Sequence, residues 1–356
     1  MGRRASGLYH ARRPDVPAHR PALARLGPQP LHAPPLRPDA ALHAARGAHP
    51  RGEARPRLYL PRHRPKRLLD QSPRADRRQD ASEVATVPLP EAFRDRLQAI
   101  LPAEHFAACW QSLAAERPTA FRANALKGTP GALVAELTAE GFALTPLAWK
   151  ADAFVVPATQ RRALTECAAY REGRLYIQNP SSMVPPILLA PQSEECILDL
   201  GAAPGSKTLQ LAELMGNQGS IWAVESVRGR FFRLRDNLAR HGAENVQAHL
   251  ADGTRIWRRH PERFDRVLLD APCSSEGRFR ADVPKTYAYW SEKKIAEASR
   301  KQRRLCYSAV QCLKPGGVLV YSTCTFAPEE NEAIINRVLR QFAGALTVED
   351  IALPFS

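Results

Sequence analysis

The 356-residue chain lacks several common signatures. No apolar h-region follows its amino terminus and no apolar run is long enough to span a bilayer, so neither a secretory leader nor a membrane segment is expected. Its 7 cysteines form no C-x-x-C pair and no regular spacing, which argues against a disulfide framework and against a zinc site. The expectation is a reducing, cytoplasmic setting with no metal. A G-x-G-x-x-G turn is also missing, and with it the tight pyrophosphate cradle of a dinucleotide dehydrogenase.

Positive charge is plentiful, at a formal +15, and invites a nucleic-acid partner. The excess is unevenly placed. Residues 1–80 hold 18 Lys and Arg against 6 Asp and Glu, +12 of the +15, which leaves +3 for residues 81–356. The same stretch holds 13 of the 31 prolines and 6 of the 10 histidines, without apolar periodicity. It cannot bury enough apolar surface to offset its ordering entropy. Residues 1–80 therefore read as a disordered Arg/Pro-rich extension, translated sequence upstream of the true start included; a basic RNA-binding tail is the alternative.

Patterned sequence begins near Val84. Residues 90–115 carry helical apolar spacing broken at Pro102, FRANALKG (121–128) reads as a strand, and Thr129-Pro130 gives an N-cap with proline at the first helical position. That helix runs to about Glu140, and residues 144–156 read as a hairpin. This predicts a small α+β domain over 84–165, of RNA-binding type. His105, Cys109 and Cys167 read as packing or surface residues, given the absent metal spacing.

From 170 to 356 the pattern changes to strands alternating with helices. The strands are CILDLG, SIWAVE, VQAHLAD, FDRVLLDAPC, GVLVYSTCT and LTVEDIAL. Ser181 is the expected cap of the helix over Met183 to Leu189. A long helix is expected from Glu292 to about Leu313, stopped by KPGG, and Pro328-Glu329-Glu330 is expected to open the last helix, its acids facing the positive end. Near-continuous apolar strands in this order mean an α/β domain with a mostly parallel sheet and helices on both faces.

The glycine turn after the first of these strands is Gly201-Ala202-Ala203-Pro204-Gly205-Ser206-Lys207-Thr208. It resembles the looser, Rossmann-like turn with which class I methyltransferases hold S-adenosylmethionine, whose ligand has no pyrophosphate. Glu225, about 20 residues on, suits the ribose hydroxyls. Asp252 suits the adenine amino group, and Asp270 ends a third successive strand. Surface carboxylates at loop starts are the bland alternative.

DAPCSSEG and STCTFAPEENE each place a cysteine just beyond an apolar strand, and neighbouring carboxyl ends can bring Cys273 and Cys324 together. Paired thiols at a methyl-donor site suit methylation of pyrimidine carbon 5. A thiolate adding at carbon 6 makes carbon 5 nucleophilic towards the sulfonium methyl; loss of the carbon 5 proton then lets the thiol leave. Asp270 can hold the N3/N4 edge of the cytosine by charge-assisted hydrogen bonds.

Over roughly residues 115–343 the chain resembles the Nop/Sun family of RNA cytosine-5 methyltransferases, and among these the bacterial rRNA enzymes. FRANALKG, YIQNPSSM, DLGAAPGSKT, DAPCSSEG, the KPGG-to-strand step and STCTFAPEENE carry the resemblance. It implies a class I methyltransferase domain. It also implies Cys324 as the nucleophile, Cys273 as the thiol that assists adduct breakdown, and a cofactor seat made by residues 201–208 with Asp270. DNA cytosine-5 methyltransferases use the Pro-Cys thiol instead, but nothing else here is similar to them. The expected partner is RNA, rRNA first and tRNA as the alternative.

Two departures stand out. The family shows Cys-Ser-Gly-x-Gly where this chain has Cys273-Ser274-Ser275-Glu276-Gly277, and Ser275 tolerates fewer backbone conformations than glycine. The sequence also stops just after the sixth strand. The antiparallel seventh strand is missing from that end, so a truncated product with an exposed sheet edge is expected. A truncated, catalytically weak RNA-binding relative is the rival from another class; a small-molecule methyltransferase gives no reason for paired thiols.

Overall fold

A computed structural model describes residues 8–12, 89–353 and 355. In chain order the elements begin with β1 (Leu8–Arg12), α1 (Glu91–Ile100), α2 (Ala103–Ser112), β2 (Thr119–Ala123), α3 (Pro130–Ala139), β3 (Thr145–Leu147) and β4 (Lys150–Val156). Then come α4 (Arg161–Glu166), α5 (Ala168–Arg171), β5 (Leu175–Ile177) and α6 (Pro180–Leu189). The larger unit continues with β6 (Cys196–Leu200), α7 (Ser206–Leu214), β7 (Ser220–Glu225), α8 (Arg228–His241), β8 (Val246–Leu250) and β9 (Phe264–Asp270). It closes with α9 (Glu292–Cys312), β10 (Leu313–Ser322), α10 (Glu332–Gln341) and β11 (Thr347–Glu349). No helix among the described residues is long and apolar enough to cross a membrane.

The large sheet has the order β11-β1-β10-β9-β6-β7-β8, and β10, β9, β6, β7 and β8 run parallel. This is the Rossmann-like methyltransferase fold that the sequence predicts. Val267 and Leu269 of β9 pack with Leu305, Ala309 and Ile334 on the α9–α10 face, while Leu268 packs with Leu189 and Leu211 on the α6–α7 face. Alternate residues of one strand thus face two helical layers, which is why its central stretch, Val267 to Leu269, is apolar without interruption. The chain leaves β6 towards β7 and β8, then crosses back to β9 and β10. The reversal opens a crevice at the carboxyl ends of β6 and β9, the usual ligand position in such sheets.

The sheet edge departs from expectation. Leu8–Arg12, from the stretch read as disordered, lies antiparallel between β10 and β11, with His10 opposite both Val320 and Glu349. The position of the missing antiparallel strand is therefore filled, and β10 is not left as an open edge. A five-residue strand with no flanking pattern gives no periodic signal. The rest of residues 1–80 lies outside the described residues.

Ahead of this unit, a four-stranded antiparallel sheet of order β3-β4-β2-β5 packs under α3, α4 and α5 around Phe121, Leu137, Phe154 and Leu164. Thr129 caps α3 as expected, accepting from the Ala132 N–H. The strand expected over 121–128 lies earlier, at Thr119–Ala123, and α6 is capped by Asn179 rather than Ser181, the Asn179 Oδ1 accepting from Ser181 N at 3.1 Å. KPGG does not separate α9 from β10. The helix ends at Cys312, and residues 313–317 form the start of the strand, with a register shift between Leu313 and Val318.

Two contacts tie the small unit to the site. Arg122 of β2 is fully buried and pairs with Glu213 of α7, while its Nε donates to Gln178 Oε1 at 2.7 Å. The helical hairpin α1–α2 packs Phe93 and Trp110 on Phe279, just past the first thiol loop. Arg117 reinforces that contact by donating to the Phe279 carbonyl at 2.9 Å.

Candidate active site

Parallel pairing of β9 with β10 sets Asp270 opposite Ser322, so Cys273 and Cys324 leave neighbouring strand ends together. Their sulfurs lie 3.3 Å apart, and the Cys324 N–H donates to Cys273 Sγ at 3.3 Å. The two loops are stitched by further bonds. Ser274 Oγ lies 2.7 Å from Thr325 Oγ1, and Gly277 N donates to the Cys324 carbonyl at 2.9 Å. Buried Glu276 accepts from Thr325 Oγ1 at 2.8 Å, Phe326 N at 3.0 Å and Trp290 Nε1 at 2.8 Å.

The two thiols differ in character. Hydrogen bonds from the Cys273 thiol and, secondarily, the Ser275 hydroxyl pull Cys324 down to about 7, against burial and the nearby Asp270. Cys273 is pushed well above the ordinary thiol value, chiefly by that same bond to Cys324 and then by burial. Of the two, Cys324 is therefore the more readily ionised, because Cys273 stabilises its thiolate by hydrogen bonding. Cys306 and Cys312, buried in α9, are pushed up to about 12 by desolvation and are packing residues.

Ser275 sits at φ +62°, the left-handed region where a Cβ costs roughly 1–2 kcal/mol. Its hydroxyl lies 3.5 Å from Cys324 Sγ, an interaction glycine could not make. Ser275→Gly should raise stability by about 1 kcal/mol while moving the Cys324 titration upward. Cys324 alkylation followed against pH by mass spectrometry checks this, with an unchanged midpoint as the contrary result.

A cleft of about 440 Å³ opens in front of the thiols, lined by Gly201, Pro204, Glu225, Asp252, Asp270 and both cysteines. Gly201 has φ +84°, and a Cβ there would lie 2.7 Å from the Asp270 carbonyl oxygen, so only glycine lets the two strand ends meet. Asp270 Oδ2 takes a 2.7 Å ion pair from Lys207, and its Oδ1 accepts from Ser322 Oγ at 3.1 Å. Glu225 Oε1 accepts from Val227 N at 2.8 Å; Oε2 is buried without a hydrogen bond among the described residues, with Arg230 3.4 Å away. A buried, under-used carboxylate oxygen facing a cleft is a ready acceptor for a ligand hydroxyl. Asp252 is exposed and spends Oδ1 on Thr254 N at 3.0 Å, leaving Oδ2 near Arg255. The residues present thus fit an adenosine-bearing cofactor.

Not every residue of the 201–208 turn faces this cleft. Ala202 and Ala203 are buried against Leu209 and Leu234. Gly205 caps α7, Ser206 gives its carbonyl to Arg122, and Thr208 Oγ1 donates to Asp199 Oδ2 at 2.6 Å inside the fold. Asp199 itself carried no sequence signal, because an acid inside an apolar strand reads as one more strand residue. Burial pushes it up to about 7, and its Oδ1 has no partner among the described residues. Glu330 lies at the opening of the last helix, as expected, but its side chain is turned inward. It is buried in the turn before α10, accepts from Ser274 N at 3.0 Å and Gln302 Nε2 at 2.8 Å, and so clamps the Cys273 loop to α9. Burial raises its pKa above the ordinary carboxylate value.

Comparison with known proteins adds a second line. A family model for the 16S rRNA methyltransferase RsmB/F matches residues 186–351, and one for the N-terminal domain of 16S rRNA methyltransferase RsmF matches residues 89–180. A tRNA (cytosine(49)-C(5))-methyltransferase of Pyrococcus abyssi is 42% identical over 239 residues, covering 67% of this chain and 75% of that protein. Ribosomal RNA small subunit methyltransferase F of Vibrio campbellii is 37% identical over 277 residues, covering 74% of this chain; the chain spans only 56% of that relative's length. A crystal structure of a methyltransferase homolog protein from Pyrococcus horikoshii superposes with a TM-score of 0.63 at 35% identity, covering 72% of this chain and 80% of that one.

Proposed function

Because the chain belongs to the Nop/Sun family of S-adenosylmethionine-dependent RNA cytosine-5 methyltransferases, we propose that it methylates carbon 5 of a cytosine in ribosomal RNA. It does so in the cytoplasm, where a reducing medium keeps both thiols free. The observation that carries this reading is the thiol pair 3.3 Å apart, with Cys324 lowered to about 7 at the mouth of an acid-lined cleft. Cofactors of this class supply an electrophilic sulfonium methyl when bound. Gly201, Pro204, Glu225 and Asp252 would form its seat, with Glu225 suited to the ribose hydroxyls and Asp252 to the adenine amino group.

The chain's own groups do the rest. Cys324 thiolate bonds to carbon 6 of the cytosine, and the electron pair displaced from the 5,6 double bond makes carbon 5 nucleophilic. Asp270, fixed between Lys207 and Ser322, holds the N3/N4 edge and favours the adduct. After carbon 5 is methylated its proton must leave, so that the electron pair can re-form the double bond and expel Cys324. That proton passes to water in the open cleft, Cys324 leaves as the thiolate, and Cys273 assists this stage by hydrogen-bonding the departing Cys324 sulfur 3.3 Å away.

Ribosomal RNA is favoured over tRNA by the match of residues 89–180 to the N-terminal domain of an rRNA enzyme. The 42% identity to a tRNA enzyme keeps tRNA as the second reading. A catalytically weak RNA-binding relative would not need two thiols, Asp270 and the cofactor acids held together. The full chain, incubated with methyl-labelled S-adenosylmethionine and small-subunit rRNA or tRNA transcripts, should yield labelled 5-methylcytidine after digestion to nucleosides. Label at another position, or on neither RNA, counts against the proposal.

A further inference from the structure

Beyond the thiols the site continues outward. A second cleft of about 370 Å³ starts at Cys273, passes between the turn over 284–290 and α9, and opens to solvent. Pro272, Cys273 and Lys301 line this cleft and the acid-lined cleft alike, so the two meet at the reactive sulfurs. Its size lies within the range of about 300–1,000 Å³ usual for small-ligand sites.

Its walls are aromatic and basic. Trp290 is fixed, its Nε1 donating to Glu276 at 2.8 Å and its ring packed edge-on to Phe93 at 5.6 Å. Tyr289 beside it is 85% exposed and makes no ring contact among the described residues. A large aromatic left in solvent at the mouth of a reactive cleft has an unused π-face. Around it stand Lys285, Lys294 and Lys301, against a single lining carboxylate, Glu297, which is already paired with Lys294 at 3.0 Å. Glu297 also borders a third cleft on the far side of α9, about 690 Å³ in volume, lined by Arg300, Arg303, Arg304 and Arg337. Cations thus outnumber carboxylates in both clefts along α9, with Glu297 the one acid that borders both.

An aromatic platform flanked by cations is what a single-stranded nucleic acid asks for: a base stacks on the ring, and the phosphates meet the ammonium groups. We propose that this second cleft is a subsite for the nucleotide adjoining the reacting cytosine, with Tyr289 as its stacking platform and Lys285, Lys294 and Lys301 as its phosphate contacts. The proposal rests on the RNA reading above and extends it. It requires the substrate to be presented unpaired at the target and at one neighbour. Base identity at that neighbour is then read by stacking strength rather than by hydrogen bonds.

The test uses the full chain and a single-stranded RNA decamer with one cytosine and 2-aminopurine riboside placed on either side of it in turn. On one side the fluorescence should be quenched by the wild type and by Tyr289→Phe, but not by Tyr289→Ala. Affinity should fall about tenfold or more in Tyr289→Ala. Lys285→Gln should reduce the slope of log affinity against log salt by about 0.7. Tyr289 and Lys285 are exposed, so circular dichroism should show both variants folded. Equal quenching by wild type and Tyr289→Ala, or no quenching on either side, overturns the subsite. The readout is independent of chemistry. Methylation without Tyr289-dependent quenching sinks the subsite alone, and Tyr289-dependent quenching without 5-methylcytidine sinks the methyltransferase reading alone.

Discussion

Cys324→Ala should lower 5-methylcytidine formation by about ten-thousandfold or more, while S-adenosylmethionine affinity stays within about twofold. The asymmetry follows from placement. Cys324 Sγ lies within hydrogen-bond reach of Cys273 Sγ and Ser275 Oγ at the thiol mouth of the cleft, whereas the cofactor acids Glu225 and Asp252 lie on other strand ends. The pH profile should carry the same signature. Below pH about 7 Cys324 is protonated and the rate falls; above it the thiolate dominates and the rate levels off. Removing the Cys273 hydrogen bond by Cys273→Ala should move this midpoint upward, towards an ordinary thiol. Iodoacetamide at neutral pH should label Cys324 ahead of Cys306 and Cys312, which burial holds at about 12.

Arg122→Ala should cost about 3–5 kcal/mol, because it strands Glu213 as an unpaired buried charge. Burial already raises the Glu213 pKa in spite of Arg122, so the carboxylate is poorly compensated even in the intact pair. Loss of the guanidinium also removes the donors to Gln178 Oε1 and to the Ser206 carbonyl at the start of α7. A fall in Tm on the order of 10 °C is expected by calorimetry. Replacing both partners, as in Arg122→Met with Glu213→Leu, should recover most of the loss. A single variant with unchanged Tm would mean that the pair is solvated in solution.

What could be read from the sequence, and what could not, divides on physical grounds. The parallel sheet was legible because β6, β9 and β10 carry near-continuous apolar runs, as strands covered on both faces must. The meeting of Cys273 with Cys324 was legible because each follows such a strand by two or three residues. Asp199, Gln302 and Glu330 were not, since what defines them is burial by elements distant in sequence. Glu330 looks like an acid at a helix start, and only the fold turns it towards Ser274. The strand Leu8–Arg12 was illegible for a related reason: its pairing depends on the edges that β10 and β11 present, not on its own composition. Ser275 was visible as a departure from glycine, but its compensating contact with Cys324 was not.

The central claim is the division of labour between the two thiols. Cys273→Ala, incubated with S-adenosylmethionine and the RNA that the wild type methylates, should accumulate a protein–RNA complex that survives denaturing electrophoresis. The complex should be absent from Cys273→Ala/Cys324→Ala and from Cys324→Ala. A complex trapped by Cys324→Ala instead, or one still formed by the double variant, would contradict the account.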